Sequence, residues 1–537
     1  MEASSFGDAH SLNVDVVIIG AGLSGLTAAH QLWKKDPSLH VIVLEAKGRV
    51  GGRTVGQTLQ AATGTDVWDM GGQWVSSCQP HVMGLLQDLD LATYNQYTHG
   101  KKLVQIGEDA KIRSFTGDIP TLSWLALIDL HFFIVKIEKM MLQVPIDDPG
   151  LCEYAVEWDS VTMATVKERY LWTTEAKELV DAALRVIFGS DPAHISLLYL
   201  LTYARAAGGF TPLISDKPKV GGQEFKIKGG AFQICDHLAA LMKKQQLHLG
   251  EPVCHVEQLK DSVLVRTIKG QQYVCKRLII AVPPQQAARI VYEPPLPAQT
   301  MHVLQRMPAG CITKVIITYQ HAFWRENGYC GAVVTNGGQS VHSDCQRGPL
   351  SVVYDATSSG GNPALVAFIA GEQQLEYNLK TAEERKKAVL WSLSEFFGNL
   401  ALNCIDYAEK NWNEETYNGG GPVSVGVPGM MTHFAAALRK PFNRIHFAGT
   451  ESATVWCGFL NGAVQSGYRA ANEVLYNLRP QVIAARDLEG TTYTIKHALR
   501  TVRGRPSAWQ QMMQWTVRIG FALAALFCVR RLTNRSL

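Results

Sequence analysis

The spacing of apolar residues changes period several times along this chain, and each change predicts an element. Val16 to Ile19 is an uninterrupted apolar run, the pattern of a strand buried on both faces, and helical spacing follows from Ser24 to about Lys34. A second such run, Val41 to Leu44, ends at Glu45. Strand-like runs recur at Leu247 to Val256, Val263 to Thr267 and Leu278 to Val282, the last closed by Pro283 and Pro284. Leu122 to Leu142 and Glu175 to Ile187 carry apolar residues at helical spacing, whereas Cys311 to Tyr319 reads as a strand before an aromatic-rich turn. Near the end, Arg444 to Ala448 predicts a strand and Asn461 to Leu475 a helix, whose Ala463, Gly467, Ala470 and Ala471 permit close approach. No internal repeat or low-complexity linker interrupts this order.

The expected fold is α/β. A Rossmann-like dinucleotide-binding domain built from 14–95, 226–295 and 406–478 interleaves with an α+β substrate domain built from 96–225, mostly helical, and 296–405, sheet-containing. Residues 479–508 would link this body to an apolar segment at 509–532.

The first predicted strand runs directly into Gly20, Gly22 and Gly25, in G-x-G-x-x-G spacing. The first glycine allows a tight turn, the second lets the backbone approach a pyrophosphate, and the third lets the helix pack on the strand. Free N–H groups at the helix start attract phosphate. Glu45, twenty residues after Gly25, can accept hydrogen bonds from a ribose hydroxyl and disfavours a 2′-phosphate. Arg49, Gly51, Gly52 and Arg53 then form an R-x-G-G-R continuation, either a second phosphate-side element or a solvated basic loop.

Composition narrows the classes. At 537 residues and 47% hydrophobic content the chain can hold more than one core, and a net charge of +4 without an aromatic-interleaved basic patch argues against nucleic-acid binding. Eleven cysteines with no C-x-x-C pair suggest reduced thiols, not a disulfide framework or a metal site. The N-terminus lacks the basic and apolar regions of a signal peptide. From Met512 to Val529 the chain is strongly apolar, interrupted by Arg518 and followed by Arg530, Arg531 and Arg535. This is a candidate tail anchor with a cytosol-facing body, the alternative being an amphipathic helix.

Lys314 stands among Ile312, Val315, Ile316 and Ile317. Periodicity leaves two placements open, an edge-strand lysine facing solvent and a buried lysine with a partner.

Several segments together resemble the flavin amine oxidase family, most closely the monoamine oxidases. They are Val14 to Arg53, RMPAGCITKVIITYQHAFWRENGYCG around Lys314, and the closing RIHFAGTESATVWCGFLNGAVQSGYRAANEVL. The resemblance extends from the first strand to Leu475 and implies FAD as cofactor. It implies hydride transfer from an amine α-carbon to flavin N5, imine hydrolysis, and reoxidation by oxygen to hydrogen peroxide. Gly20, Gly22, Gly25, Glu45, Arg49, Gly51, Gly52, Arg53, Gly72, Gln73, Val253, Trp412, Gly449, Thr450, Glu451, Gly458 and Phe459 would then contact the cofactor. Lys314 would hold a water near flavin N5. The helix from Asn461 would direct its positive end toward the flavin pyrimidine ring. The terminal apolar segment corresponds in place to a mitochondrial outer-membrane anchor, and a homodimer is left open.

Departures from the monoamine oxidase pattern are equally specific. The cysteine that carries FAD covalently in those enzymes is replaced within Gly419-Gly420-Gly421-Pro422, so FAD is expected to be held non-covalently, with Cys457 a core thiol. Pro422 and Phe459 stand where two substrate-guiding tyrosines are expected, a glutamine near the substrate cavity is read at Ala206, and Trp74 replaces a smaller aromatic. An altered amine range, a polyamine or L-amino-acid oxidase or related desaturase, and a tethered FAD protein without turnover all remain open.

Overall fold

The computed structural model describes residues 12–117 and 120–493. The first strand, β1 (Leu12–Ile19), continues into helix α1 (Leu23–Lys35) and strand β2 (Val41–Glu45), the order expected from the apolar periods. β1 pairs in parallel with β2, placing Val16 opposite Val41 and Ile19 opposite Leu44. On its other side it pairs in parallel with Gln272–Ile280. Val16, Val17 and Ile18 are fully buried, which explains their uninterrupted apolar run.

These strands belong to an eight-stranded sheet. The sequence run Leu247 to Val256 enters it as two strands, Leu247–Leu249 and Val253–Gln258. Gly250 between them has φ +69°, a left-handed turn that breaks one predicted strand into two. Leu247–Leu249 lies beside β2, and Val253–Gln258 lies near the other edge.

A second sheet of seven strands includes β3 (Ile312–Thr318). β3 is interior, antiparallel to Ala364–Ala370 on one side and to Asp406–Asn411 on the other. The segment 406–478 thus begins in this sheet before Ile445–Phe447 returns to the first. The sheet also takes Lys101–Gln105 and Ile112–Phe115 from the stretch expected to be mostly helical.

The predicted helices are present as Trp124–Met141 and Thr174–Phe188. Ser123 caps the former by accepting from Ala126 N at 3.3 Å. The closing helix, α2 (Leu460–Leu478), packs along α1 through the small residues that predicted it: a Cβ on Gly467 would lie 2.5 Å from Ser24 O.

Residues 479–493, read from sequence as the start of a linker, pack back on α2. Asn472 Nδ2 donates to Asp487 O at 2.8 Å, and Thr492 N donates to buried Glu473 at 3.2 Å. The candidate anchor lies outside the described residues, and among those described no helix is long and apolar enough to cross a membrane.

Candidate functional site

A continuous cavity of about 610 Å³ runs from the end of β1 to β3. Its first half is walled by the Gly20–Gly25 turn, Glu45, Val253 and the Gly51–Arg53 loop. The turn is tight where the sequence reading required it. Gly20 has φ +103°, and a Cβ there would lie 2.8 Å from Ala281 O. Gly22 has no neighbour closer than Gly52 Cα at 3.9 Å, leaving its backbone open to a ligand. A Cβ on Gly25 would sit 2.0 Å from Gly20 O, so this glycine serves helix–strand contact and does not line the cavity.

Glu45 is buried, its two carboxylate oxygens accepting from Ala21 N at 2.7 Å and Lys47 N at 2.9 Å. Those backbone donors hold the carboxylate at the end of β2, where it faces the cavity. Gly51 N donates to Ala21 O at 2.9 Å, joining the second glycine loop to the first. Arg49 points away from the cavity, donating to Gly52 O and to Glu415, each at 3.2 Å. Burial works to raise the Glu415 pKa, but hydrogen bonds from Lys410 and Lys47 bring it down to about 2.

Arg53 and Glu451, both predicted to meet the cofactor, meet each other. Arg53 Nη1 and Nη2 donate to the two carboxylate oxygens at 2.6 and 3.0 Å, and Nη1 also donates to Pro422 O at 3.0 Å. Arg53 lines the cavity, whereas Glu451 stands behind it and also accepts from Ser424 N at 3.1 Å. Burial raises the Glu451 carboxyl, yet the adjacent guanidinium outweighs it and holds the group below the usual carboxylate range. Gly449 N donates to Ser24 Oγ and Ser466 Oγ at 3.0 and 3.2 Å, tying the closing motif to the start of α1 and to the body of α2.

The other half of the cavity is aromatic and apolar. Trp74 meets Tyr354 edge-on at 5.2 Å between centroids and lies 6.0 Å from Phe368. Its indole N–H donates to Gln96 Oε1 at 2.9 Å, which fixes the ring. Trp412 is anchored likewise, donating to Met70 O at 3.0 Å. Phe459, Pro422, Gly72, Gln73, Thr450 and Gly458 also line the cavity. Thr450 Oγ1 donates to Phe459 O at 2.9 Å and holds that backbone in place.

The structure decides between the two placements of Lys314. It is 2% exposed, on an interior strand, and its ammonium donates to Gly71 O at 2.9 Å and to Gln73 Oε1. Burial lowers its pKa, an effect that the charge of nearby Asp69 opposes but does not cancel. Asp69 is itself buried and pushed upward, while accepting from Ala231 N at 2.9 Å. Nζ has three donors, and two are engaged. Gln73 Nε2 is buried without a protein partner.

Ala206 requires a correction. It does not line the main cavity but faces a second one of about 50 Å³ beside Cys457. The phase of helix Leu197–Ala206 instead brings Tyr203, about one turn earlier, to the main cavity. Gln223, by contrast, does line the main cavity; its Oε1 is buried without a partner while its Nε2 donates to Leu213 O at 3.2 Å. The sequence reading missed Gln223, Tyr203 and Asp69. A glycine pair precedes Gln223, and Asp69 shortly precedes Gly71 and Gly72, signals that could have marked two of them.

FAD fits this cavity by its chemistry. An open glycine backbone and a helix start lie at one end, a ribose-competent carboxylate lies beside them, and unmatched polar atoms of Gln73 and Gln223 accompany a flat aromatic wall at the other.

Comparisons with known proteins agree. The family model for flavin-containing amine oxidoreductases matches residues 23–475. Amine oxidase [flavin-containing] A of Canis lupus familiaris is 34% identical over 479 residues, covering 88% of this chain and 87% of that protein. Amine oxidase [flavin-containing] B of Homo sapiens is 35% identical over 466 residues, covering 86% of each. Among solved structures, putrescine oxidase bound to putrescine superposes with a TM-score of 0.79 at 28% identity, covering 87% of this chain and 99% of that one. Cyclohexylamine oxidase from Brevibacterium oxydans gives the same TM-score of 0.79, identity of 28% and coverage of 87% and 99%. The chain therefore belongs to the flavin-containing amine oxidoreductase family and is an FAD-dependent enzyme acting on amines.

Proposed function

We propose that this enzyme oxidises an amine with an uncharged, largely apolar tail, using FAD held without a covalent bond. The observation that carries the substrate class is the make-up of the aromatic half of the cavity. Among the described residues its one carboxylate, Asp216, is engaged by Lys102, and the cavity's two arginines, Arg53 and Arg289, come from outside the second sheet, Arg289 beside Ile290 and bonded to Gln286. A polyamine needs a free carboxylate for its second cation, and an amino acid needs a free arginine for its carboxylate. Arg53 does not serve, because Glu451 and Pro422 O already occupy its fork.

FAD, when bound, accepts a hydride from the amine α-carbon and passes electrons to oxygen. The chain's own residues position and screen that chemistry. Trp74, Tyr354 and Phe368 provide an apolar wall that excludes water from the amine's tail. Gln223 Oε1, an unmatched buried acceptor, can take an N–H of the amine. Lys314 is held by Gly71 O and Gln73 with one donor left over, so Nζ can hold a water or steer oxygen. Pro422 and Phe459 leave the substrate side without tyrosine hydroxyls at these two positions, and Tyr203 contributes a phenol, its ring 6.2 Å from Phe459.

Support for non-covalent FAD comes from the thiols. Among the described cysteines only Cys254, beside Val253 in the first half, lines the main cavity. Cys457 belongs to the second cavity, where burial pushes its thiol pKa well up. Acid precipitation of purified enzyme should release yellow FAD to the supernatant, and colour kept in the pellet would reject this reading. Peroxide release across a panel of alkylamines, diamines and amino acids tests the substrate class.

Membrane attachment through Met512–Val529, with the body facing the cytosol and the mitochondrial outer membrane as its site, rests on that apolar segment and on the family likeness. Removing residues 512–537 should move the enzyme from the membrane pellet to the soluble fraction. Unchanged partition would exclude the anchor.

A further inference from the structure

The substrate half of the cavity carries an ion pair between Lys102 and Asp216. Lys102 Nζ donates to both carboxylate oxygens of Asp216, at 2.9 and 2.8 Å, and the two side chains are 15% and 14% exposed. Lys102 belongs to a strand of the second sheet, opposite Phe115. Asp216 lies in the loop after the short helix Thr211–Ile214.

That loop is built to hold a set shape. Gly222 N donates to Pro212 O at 3.0 Å, and a Cβ on Gly221 would lie 1.7 Å from Ser215 O, so only glycine fits there. Tyr354, which packs on Trp74, lies near the Asp216 charge, and both line the cavity. The pair therefore lines the cavity near the same aromatic wall that faces the amine's tail.

We propose that the Lys102–Asp216 pair sets specificity: closed, it confines the enzyme to amines with an uncharged tail, and either partner left alone would select a tail of opposite charge. The inference rests on the amine-tail reading given under the proposed function. The physical reason is that a largely buried charge without its partner gains far more from an incoming counter-charge than a satisfied pair does. A charged tail entering the wild-type cavity must instead break two charge-assisted hydrogen bonds or lose its own hydration unmatched.

The test uses full-length FAD-loaded enzyme with three amines of equal length: hexylamine, 1,6-diaminohexane and 6-aminohexanoate. Steady-state kcat/KM from peroxide release is measured for wild type, Lys102→Met, Asp216→Asn and the Lys102→Met/Asp216→Leu double variant. Wild type should favour hexylamine over both charged analogues by about tenfold or more, the value of one charge-assisted hydrogen bond. Lys102→Met should raise the ratio of diamine to hexylamine at least about tenfold, Asp216→Asn should do the same for 6-aminohexanoate, and the double variant should return to the wild-type order. Single variants that bind FAD and turn over hexylamine with unchanged ratios overturn the proposal alone. Wild-type preference for either charged analogue, or failure of wild type to oxidise any of the three amines or the wider panel, overturns the underlying amine-tail reading.

Discussion

Replacing Glu451 with glutamine should cost the holoenzyme more stability than its conservative shape suggests. In the wild type, the Glu451 side chain is 1% exposed and receives Arg53 Nη1 and Nη2 at 2.6 and 3.0 Å. Removing one partner of a buried ion pair costs about 3–5 kcal/mol, because the remaining charge is left uncompensated. Arg53 is 24% exposed toward the cavity and keeps Pro422 O, and the amide oxygen still accepts one bond. A cost at or just below the bottom of that range, about 2–3 kcal/mol, is therefore expected.

Arg53→Met should cost a similar amount by stranding the carboxylate. The double variant Arg53→Met/Glu451→Gln removes both charges and should cost less than the sum of the two single effects by more than about 1 kcal/mol. Urea unfolding of FAD-loaded protein, followed by tryptophan and flavin fluorescence, closes the cycle. Additivity of the two single effects within about 0.5 kcal/mol would refute the reasoning. The pH dependence has a definite sign. The folded pKa of Glu451 is depressed, so the pair's contribution is complete above the unfolded carboxylate value of about 4.3 and is lost as pH falls through the folded pKa. The penalty of Glu451→Gln should shrink on acidification.

Other outcomes follow from single distances and burials. Gly25→Ala brings a Cβ within 2.0 Å of Gly20 O, a backbone atom that cannot step aside, so the variant should purify without flavin absorbance; a fully yellow preparation would contradict this. Lys314→Met should retain FAD but slow reoxidation in stopped-flow mixing with oxygen by on the order of a hundredfold, and an unchanged rate would remove the lysine from the chemistry. Because burial lowers the Lys314 pKa, the wild-type oxygen reaction should lose rate as pH rises through a value below the free lysine's 10.4 or so, a limb absent from the variant. Gly458→Ala places a Cβ 2.0 Å from the Tyr203 hydroxyl at φ +81°; displacing that ring should raise KM for hexylamine while FAD content stays near wild type.

Much of the nucleotide half was legible because its signals are local. Gly20, Gly22, Gly25 and Glu45 sit on one strand–turn–helix–strand unit, so sequence spacing translates directly into geometry. Lys314 was half legible: its apolar neighbours marked it as unusual, but only the pairing of β3 on both sides showed an interior strand. The partnership of Arg53 with Glu451, the retreat of Ala206, and the entry of Gln223 and Tyr203 were not legible. Each depends on helix phase or on chain segments hundreds of residues apart meeting.

By itself, the sequence determined the α/β class, the dinucleotide turn, the strand that carries Lys314 and the likeness to flavin amine oxidases, since period and local spacing suffice for these. Tertiary structure alone decided which side chains share the cavity. It closed Asp216 onto Lys102, turned Arg53 onto Glu451 and left atoms of Gln73 and Gln223 unmatched. The reason is physical: whether a charge is free or spent depends on partners brought together by packing, and no one-dimensional spacing records that.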